Sequence, residues 1–157
     1  MFLHWLLSMA LALIALSQQK NGEAAKPDFS GKWKLNLAAS KLQIPPPTSS
    51  RFEIEHREPK FRLTRTHVYG DRADTITVEL TTDGRKTEQV FGERRASIRA
   101  HWEGSVLVAE MHVRTKDDEG TNVVRYSLAN AGKTLVAVER WRSSKGRYDN
   151  TWVLDRE

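Results

Sequence analysis

The chain has no cysteine among its 157 residues. That absence excludes a disulfide framework, a thiolate zinc site, thiol catalysis and the lipid-carrying cysteine of a lipoprotein signal. Long apolar runs are almost as scarce. One stands out, Trp5 to Leu16, inside a segment from Met1 to Ser17 that holds no Asp, Glu, Lys or Arg. It is shorter than the about 20 residues of a comfortable membrane span and fits the hydrophobic part of a secretory signal. Ala15 and Ser17 put small residues at the −3 and −1 positions of a cleavage site, and Glu23-Ala24-Ala25 offers a second. Residues 1–17 are therefore expected to form a signal-peptide helix, with cleavage as late as 25. Residues 18–28 are expected to be a flexible lead-in, and 29–157 one folded domain. The competing expectation is a retained N-terminal membrane anchor. Removing the signal leaves no transmembrane span, and export without disulfides suits a bacterial periplasm or the extracellular medium.

Further absences narrow the chemistry. There is no glycine-rich phosphate loop, no Walker sequence and no G-x-S-x-G. The registers set out below bring no two of His56, His67, His101 and His112 together, so no metal site and no cofactor is expected. The net charge is +5 with a pI near 9.6, yet the 25 Lys and Arg are interspersed with 20 acids. That reads as a solvated surface, and no nucleic-acid partner is expected because the aromatic residues fall on the strand face opposite most of the arginines.

What is present is alternation. From Gly31 to the C-terminus the chain reads as an all-β, up-and-down antiparallel meander of ten strands. Such a meander closes into a barrel of about 8–10 strands. Lys32–Ala38 alternates Trp33, Leu35 and Leu37 with polar residues. Pro45-Pro46-Pro47 then imposes an extended loop across one end. A turn at Glu58-Pro59 pairs Phe52 with Arg65, Ile54 with Leu63 and His56 with Phe61. A loop at Gly70–Ala73 pairs Leu63 with Leu80, Arg65 with Val78 and His67 with Ile76. Asp83-Gly84 signals a hairpin that sets Leu80 on Thr87, Val78 on Gln89 and Ile76 on Phe91. Glu103-Gly104 sets Ala100 on Leu107, Ile98 on Ala109 and Ala96 on Met111. The strand Thr121–Leu128 points Val124, Tyr126 and Leu128 inward. The last hairpin, turning at Ser143–Gly146, pairs Trp141 with Tyr148, Glu139 with Asn150, Ala137 with Trp152 and Leu135 with Leu154. A one-residue slip would reverse every face, so agreement of faces between hairpins supports the whole set.

This inward face is mixed. It carries Arg65, His67, Gln89, Tyr126, Glu139 and Asn150, and buried polar groups need partners. Ala96, Ala100, Ala109 and Ala137 leave part of the wall unfilled. A partly open, partly polar lumen suits a small apolar or amphipathic ligand. Phe52, Phe61, Phe91, Met111 and Trp152 are expected to form its apolar wall. Arg65, Gln89, Tyr126 and Glu139 are expected to orient a polar or acidic group, with Arg65 facing Glu139 across the lumen. The alternative is an envelope structural protein with a filled barrel and a contact surface at Arg95 and Arg99. An enzyme using Glu139 as a base lacks any constellation that specifies a reaction, so no catalytic residue is assigned. A monomer is expected.

The opening Asp28-Phe29-Ser30-Gly31-Lys32-Trp33-Lys34-Leu35 resembles the F-x-G-x-W-K-L start of the calycin superfamily, which includes lipocalins and fatty-acid-binding proteins. The run Asp28 to Asn36, Ser40-Lys41 and the closing Ser143 to Asp155 resemble bacterial lipocalin-like domains over about 29–156. The resemblance implies an up-and-down barrel for a small apolar molecule, with Gly31 and Trp33 as structural motif. It also implies that Trp33 closes one end beneath a late arginine, for which Arg156 is the candidate. Two departures are visible. A Pro-rich loop stands where fatty-acid-binding proteins carry a helical pair, and the last strand has no Arg-x-Tyr.

Overall fold

The computed structural model describes residues 25–157, so the expected signal segment and most of the lead-in lie outside the described residues. Ten antiparallel strands form one sheet: β1 (Gly31–Leu35), β2 (Ser49–Arg57), β3 (Lys60–Tyr69), β4 (Arg72–Thr81), β5 (Thr87–Phe91), β6 (Arg94–Glu103), β7 (Val106–Arg114), β8 (Glu119–Ala129), β9 (Thr134–Ser143) and β10 (Arg147–Arg156). Each strand pairs with its sequence neighbour except across β4 and β5. The ring is completed by β1 pairing with β10, giving the order β4-β3-β2-β1-β10-β9-β8-β7-β6-β5. The result is a nearly closed up-and-down barrel with a seam between β4 and β5. Besides strands and turns, the described residues hold only a short 3-10 turn at Asn130–Gly132.

The β2–β3 and β9–β10 registers are those the sequence implies. Two others are displaced by two residues. Leu63 pairs with Val78, Arg65 with Ile76 and His67 with Asp74. Ile98 pairs with Met111, Ala100 with Ala109 and Ala96 with Val113. In each case a glycine in left-handed conformation, Gly70 at φ +63° and Gly104 at φ +60°, begins a two-residue turn that fixes the pairing. A two-residue shift keeps every side chain on its face, so the inside and outside are those expected.

Asp83-Gly84 does not make a hairpin. Gly84 gives its N–H to Ala100 O at 2.8 Å, so the turn crosses the seam to β6. The expected ladder pairs of Leu80, Val78 and Ile76 with β5 are absent. β1 also stops early. Asn36 Oδ1 accepts the Ala39 N–H at 3.1 Å and Asn36 O accepts Ser40 N–H at 3.1 Å, a local turn that leaves Leu37 46% exposed, not inward. The Pro-rich loop then runs beside β10, where Lys41 and Thr151 exchange backbone hydrogen bonds at 2.9 and 2.7 Å. Pro47 is fully buried, and Leu42 and Ile44 pack on the core.

One end of the barrel is closed. Trp33 and Phe29 are buried. The Trp33 indole donates to Phe29 O at 3.1 Å. The Arg156 guanidinium lies 4.1 Å over the Trp33 ring and donates to Ser30 O at 2.8 Å and Gly132 O at 3.0 Å. Gly31 has φ +138°, and a Cβ there would stand 2.5 Å from Arg156 Nη1, so the close approach of this arginine needs the glycine. Trp102 stacks on Phe29 with ring centroids 5.9 Å apart. His56 Nδ1 accepts Phe29 N–H at 3.3 Å, so its other nitrogen, carrying the hydrogen, donates to Glu58 Oε1 at 2.8 Å. Replacing Arg156 by Ala removes the stacked cation and two hydrogen bonds, and should lower unfolding free energy by about 1–2 kcal/mol. A urea midpoint unchanged from the parent would show that the arginine does not hold this end.

Candidate functional site

A cavity of about 340 Å³ occupies the opposite half of the barrel. Its floor includes Phe61, Leu80 and Tyr126, residues of or next to the aromatic cluster at the closed end. Its mouth is rimmed by Arg94, Thr115, Asp118, Trp141 and Tyr148, which flank the β5–β6, β7–β8 and β9–β10 turns. Gly120 makes room for the rim: a Cβ there would lie 2.5 Å from the Trp141 ring.

The sequence-assigned residues Phe52, Phe61, Arg65, Phe91, Met111, Tyr126, Glu139 and Trp152 all line this cavity. Gln89 does not. Its side chain turns into the seam, donating from Nε2 to Thr77 O at 3.1 Å and accepting the Glu79 N–H at 3.0 Å. The amide thus replaces a missing rung between β4 and β5. Glu58 secures the closed end of the same seam, taking Thr82 Oγ1 at 2.8 Å after β4 and Trp102 Nε1 at 3.1 Å on β6. Burial opposes ionisation of Glu58, but hydrogen bonds from His56, Thr82 and Trp102 outweigh it and hold its pKa below the ordinary value.

Arg65 and Glu139 face the lumen but do not pair. Arg65 Nη2 meets Asp74 Oδ2 at 3.4 Å on the neighbouring strand, an acceptor that the displaced β3–β4 register brings within reach. Its Nε is buried without a protein partner. Glu139, 8% exposed, accepts three hydrogen bonds: Asn122 Nδ2 at 2.9 Å, Asn150 Nδ2 at 3.0 Å and Trp152 Nε1 at 2.9 Å. Asn150 in turn accepts the Gln43 N–H at 2.8 Å, which ties the Pro-rich loop to the carboxylate. Asn122 was legible in principle: it alternates with Val124, Tyr126 and Leu128 on the inward face of β8. Tyr148, also on the rim, has its pKa pushed up to about 12 by burial and by the Glu139 carboxylate. Burial and the same carboxylate raise that of Tyr126.

His67 is buried, stacks on Trp152 at 4.9 Å between centroids and shares a 2.7 Å hydrogen bond with Ser50. Among the described residues no three His, Asp or Glu stand close enough to hold a metal ion. No helix among them is long and apolar enough to cross a membrane.

No protein-family model matches the chain, and no curated protein matches it in sequence. Solved structures do match in shape. A secretory abundant heat soluble protein of Ramazzottius varieornatus, from a dimer sample, superposes with a TM-score of 0.60 at 12% identity, over 87% of this chain and 100% of that one. A second protein of that kind, number 4 from the same organism, gives 0.53 at 11% identity over 85% and 97%. Zebrafish ileal bile acid-binding protein complexed with cholic acid gives 0.56 at 14% identity over 82% and 98%. These structures share the overall fold of this barrel. At these identities the likeness concerns the fold alone.

Two outcomes follow from the site. Gln89→Leu keeps bulk but removes the false rung, so the Glu79 amide should exchange hydrogen about tenfold faster or more. Exchange at the parental rate would mean that the seam closes without it. His67 has its pKa lowered from 6.5 to about 4, by burial first and then by the Arg65 charge. The unfolded chain therefore binds the proton first as pH falls. Its contribution is complete above pH 6.5 and declines toward pH 4, by about 3 kcal/mol in all. His67→Asn should flatten the pH dependence of urea unfolding between pH 7 and 4.5; parallel curves for parent and variant would contradict this.

Proposed function

We propose that the chain is an exported, monomeric barrel that binds a small, mainly apolar molecule bearing a polar or acidic group. The observation that carries this reading is the cavity itself: concave, lined largely by Phe, Leu, Ile, Val, Met and Trp side chains, with a few convergent polar groups. Open volume of about 340 Å³ favours binding over a filled structural barrel. A barrel of the same shape in complex with a bile acid supports the class of ligand. Phe52, Phe61, Phe91, Met111 and Trp152 would contact the apolar body. Arg65, Tyr126 and Glu139 would set its orientation. Gly31 and Trp33, beneath Arg156, would keep the far end dry.

Export rests on the apolar, uncharged segment 1–17, and a bacterial envelope on the lipocalin-like opening and close. N-terminal sequencing of protein from an expressing bacterium should find a chain starting after Ser17 or Ala25. An intact Met1 on periplasmic or secreted protein would overturn cleavage. For binding, the apolar probe N-phenyl-1-naphthylamine should gain fluorescence with micromolar affinity. Native mass spectrometry of gently purified protein should show a carried small molecule. Neither probe binding nor carried ligand would sink the reading.

A further inference from the structure

On the reading that the cavity is a ligand site, its charges fix which way round a ligand lies. The charged side chains that line it are Arg65, Arg94, Asp118 and Glu139. All but one are already answered by the protein. Glu139 accepts N–H groups from Asn122, Asn150 and Trp152, and Arg65 meets Asp74. Asp118 Oδ1 takes the Ser144 hydroxyl at 2.9 Å.

Arg94 is the exception. It begins β6, paired with Phe91 across the turn at Gly92 and Glu93, and has the inward parity of the buried Ala96, Ile98 and Ala100. That places it at the mouth, where it is exposed. Other rim acids are taken by other arginines, Glu119 by Arg114 at 3.3 Å and Asp149 by Arg142 at 2.7 Å, and among the described residues Arg94 forms no ion pair. Its charge is felt at the hydroxyl of Tyr148 on β10, although β7, β8 and β9 stand between the two strands. The guanidinium therefore stands over the opening and not on the outer wall.

The interior is the wrong place for an anion. A negative head group there would lie near Glu139, whose charge is answered only by neutral N–H donors, while Arg65 already has its countercharge in Asp74. Below the rim the wall includes Phe61, Leu63, Val78 and Met111, which offer nothing to a charge. At the mouth a carboxylate gains a charge-assisted hydrogen bond from Arg94 and keeps the rest of its hydration. An ammonium there would be repelled by the same guanidinium, and an alcohol would forgo the charge.

We infer that the molecule is a single-chain anionic amphiphile held tail-down, its charged head on Arg94 at the mouth. The head lies outside the apolar wall, so its size is not limited by the cavity, and an acyl conjugate fits as well as a free acid.

Displacement of N-phenyl-1-naphthylamine from the unaltered chain separates the two orientations. Decanoate and N-decanoylglycine, whose head is larger by one glycine, should bind within about twofold of each other. Decanedioate should bind about tenfold more weakly than decanoate or worse, because its second carboxylate must enter the cavity that holds Glu139. Arg94→Gln should weaken both monoanions about fivefold relative to decan-1-ol, the upper end for an exposed ion pair, and Arg94→Lys should restore the preference. N-decanoylglycine about tenfold weaker than decanoate, or decanedioate equal to it, would place the head inside and overturn the inference. An unchanged preference for the acids in Arg94→Gln, or decylamine binding more tightly than decanoate, would overturn it too. Probe binding without displacement by any of these would overturn this inference alone and leave the cavity reading standing. Failure of the probe itself to bind would end both readings.

Discussion

Glu139 is the constraint around which the open half of the barrel is arranged. A carboxylate at 8% exposure must be hydrogen-bonded or it would cost several kcal/mol. Three neutral N–H donors answer it from two neighbouring strands, β8 and β10. Each donor is oriented by the act of answering. Asn150 thereby holds the Pro-rich loop through Gln43, Trp152 is set to stack on His67, and Asn122 is left with a buried Oδ1 that has no protein donor. One buried charge thus links loop position, aromatic packing and the polarity of the cavity wall.

The two halves of the barrel divide the labour. At the closed end Phe29, Trp33, Phe61, Trp102 and Tyr126 fill the interior, and Arg156 covers Trp33 from outside. At the open end the turns carry small or polar residues and the wall includes Ala109 and Ala137. The seam between β4 and β5 is closed by side chains, Gln89 midway and Glu58 at the base, where elsewhere the backbone ladder does the work. A junction held by a few side-chain hydrogen bonds opens more readily than one held by a ladder.

Much of this was written in period-two alternation. Faces depend only on parity, so Phe52, Arg65, Tyr126, Glu139 and Trp152 were assignable inward although two hairpins settled two residues away from the expected pairing. Register was less legible because Gly70 and Gly104 each fit more than one turn; which one forms depends on packing of the whole strand pair. Asp83-Gly84 misled because its local preference for a hairpin lost to closure of the ring, which drew Gly84 onto β6. Gln89 has the right parity for the interior, but an unpaired β4 edge within reach captured its amide. The Arg65 partner was missed for the same reason of register: the shift that pairs His67 with Asp74 also places that carboxylate beside Arg65. The Trp33–Arg156 stack was suggested by resemblance and is made by a residue one position from the chain end.

The half of the barrel around Glu139 is hollow, and that hollow is the proposed binding site. Ala109 is 5% exposed and lines the cavity from β7. Ala109→Leu, measured by urea unfolding and probe titration together, tests both parts at once. If the space is open, added methyl groups fill it, stability stays within about 1 kcal/mol of the parent, and probe binding falls at least tenfold. A loss of stability of about 3 kcal/mol or more, or probe binding at the parental affinity, would contradict the account.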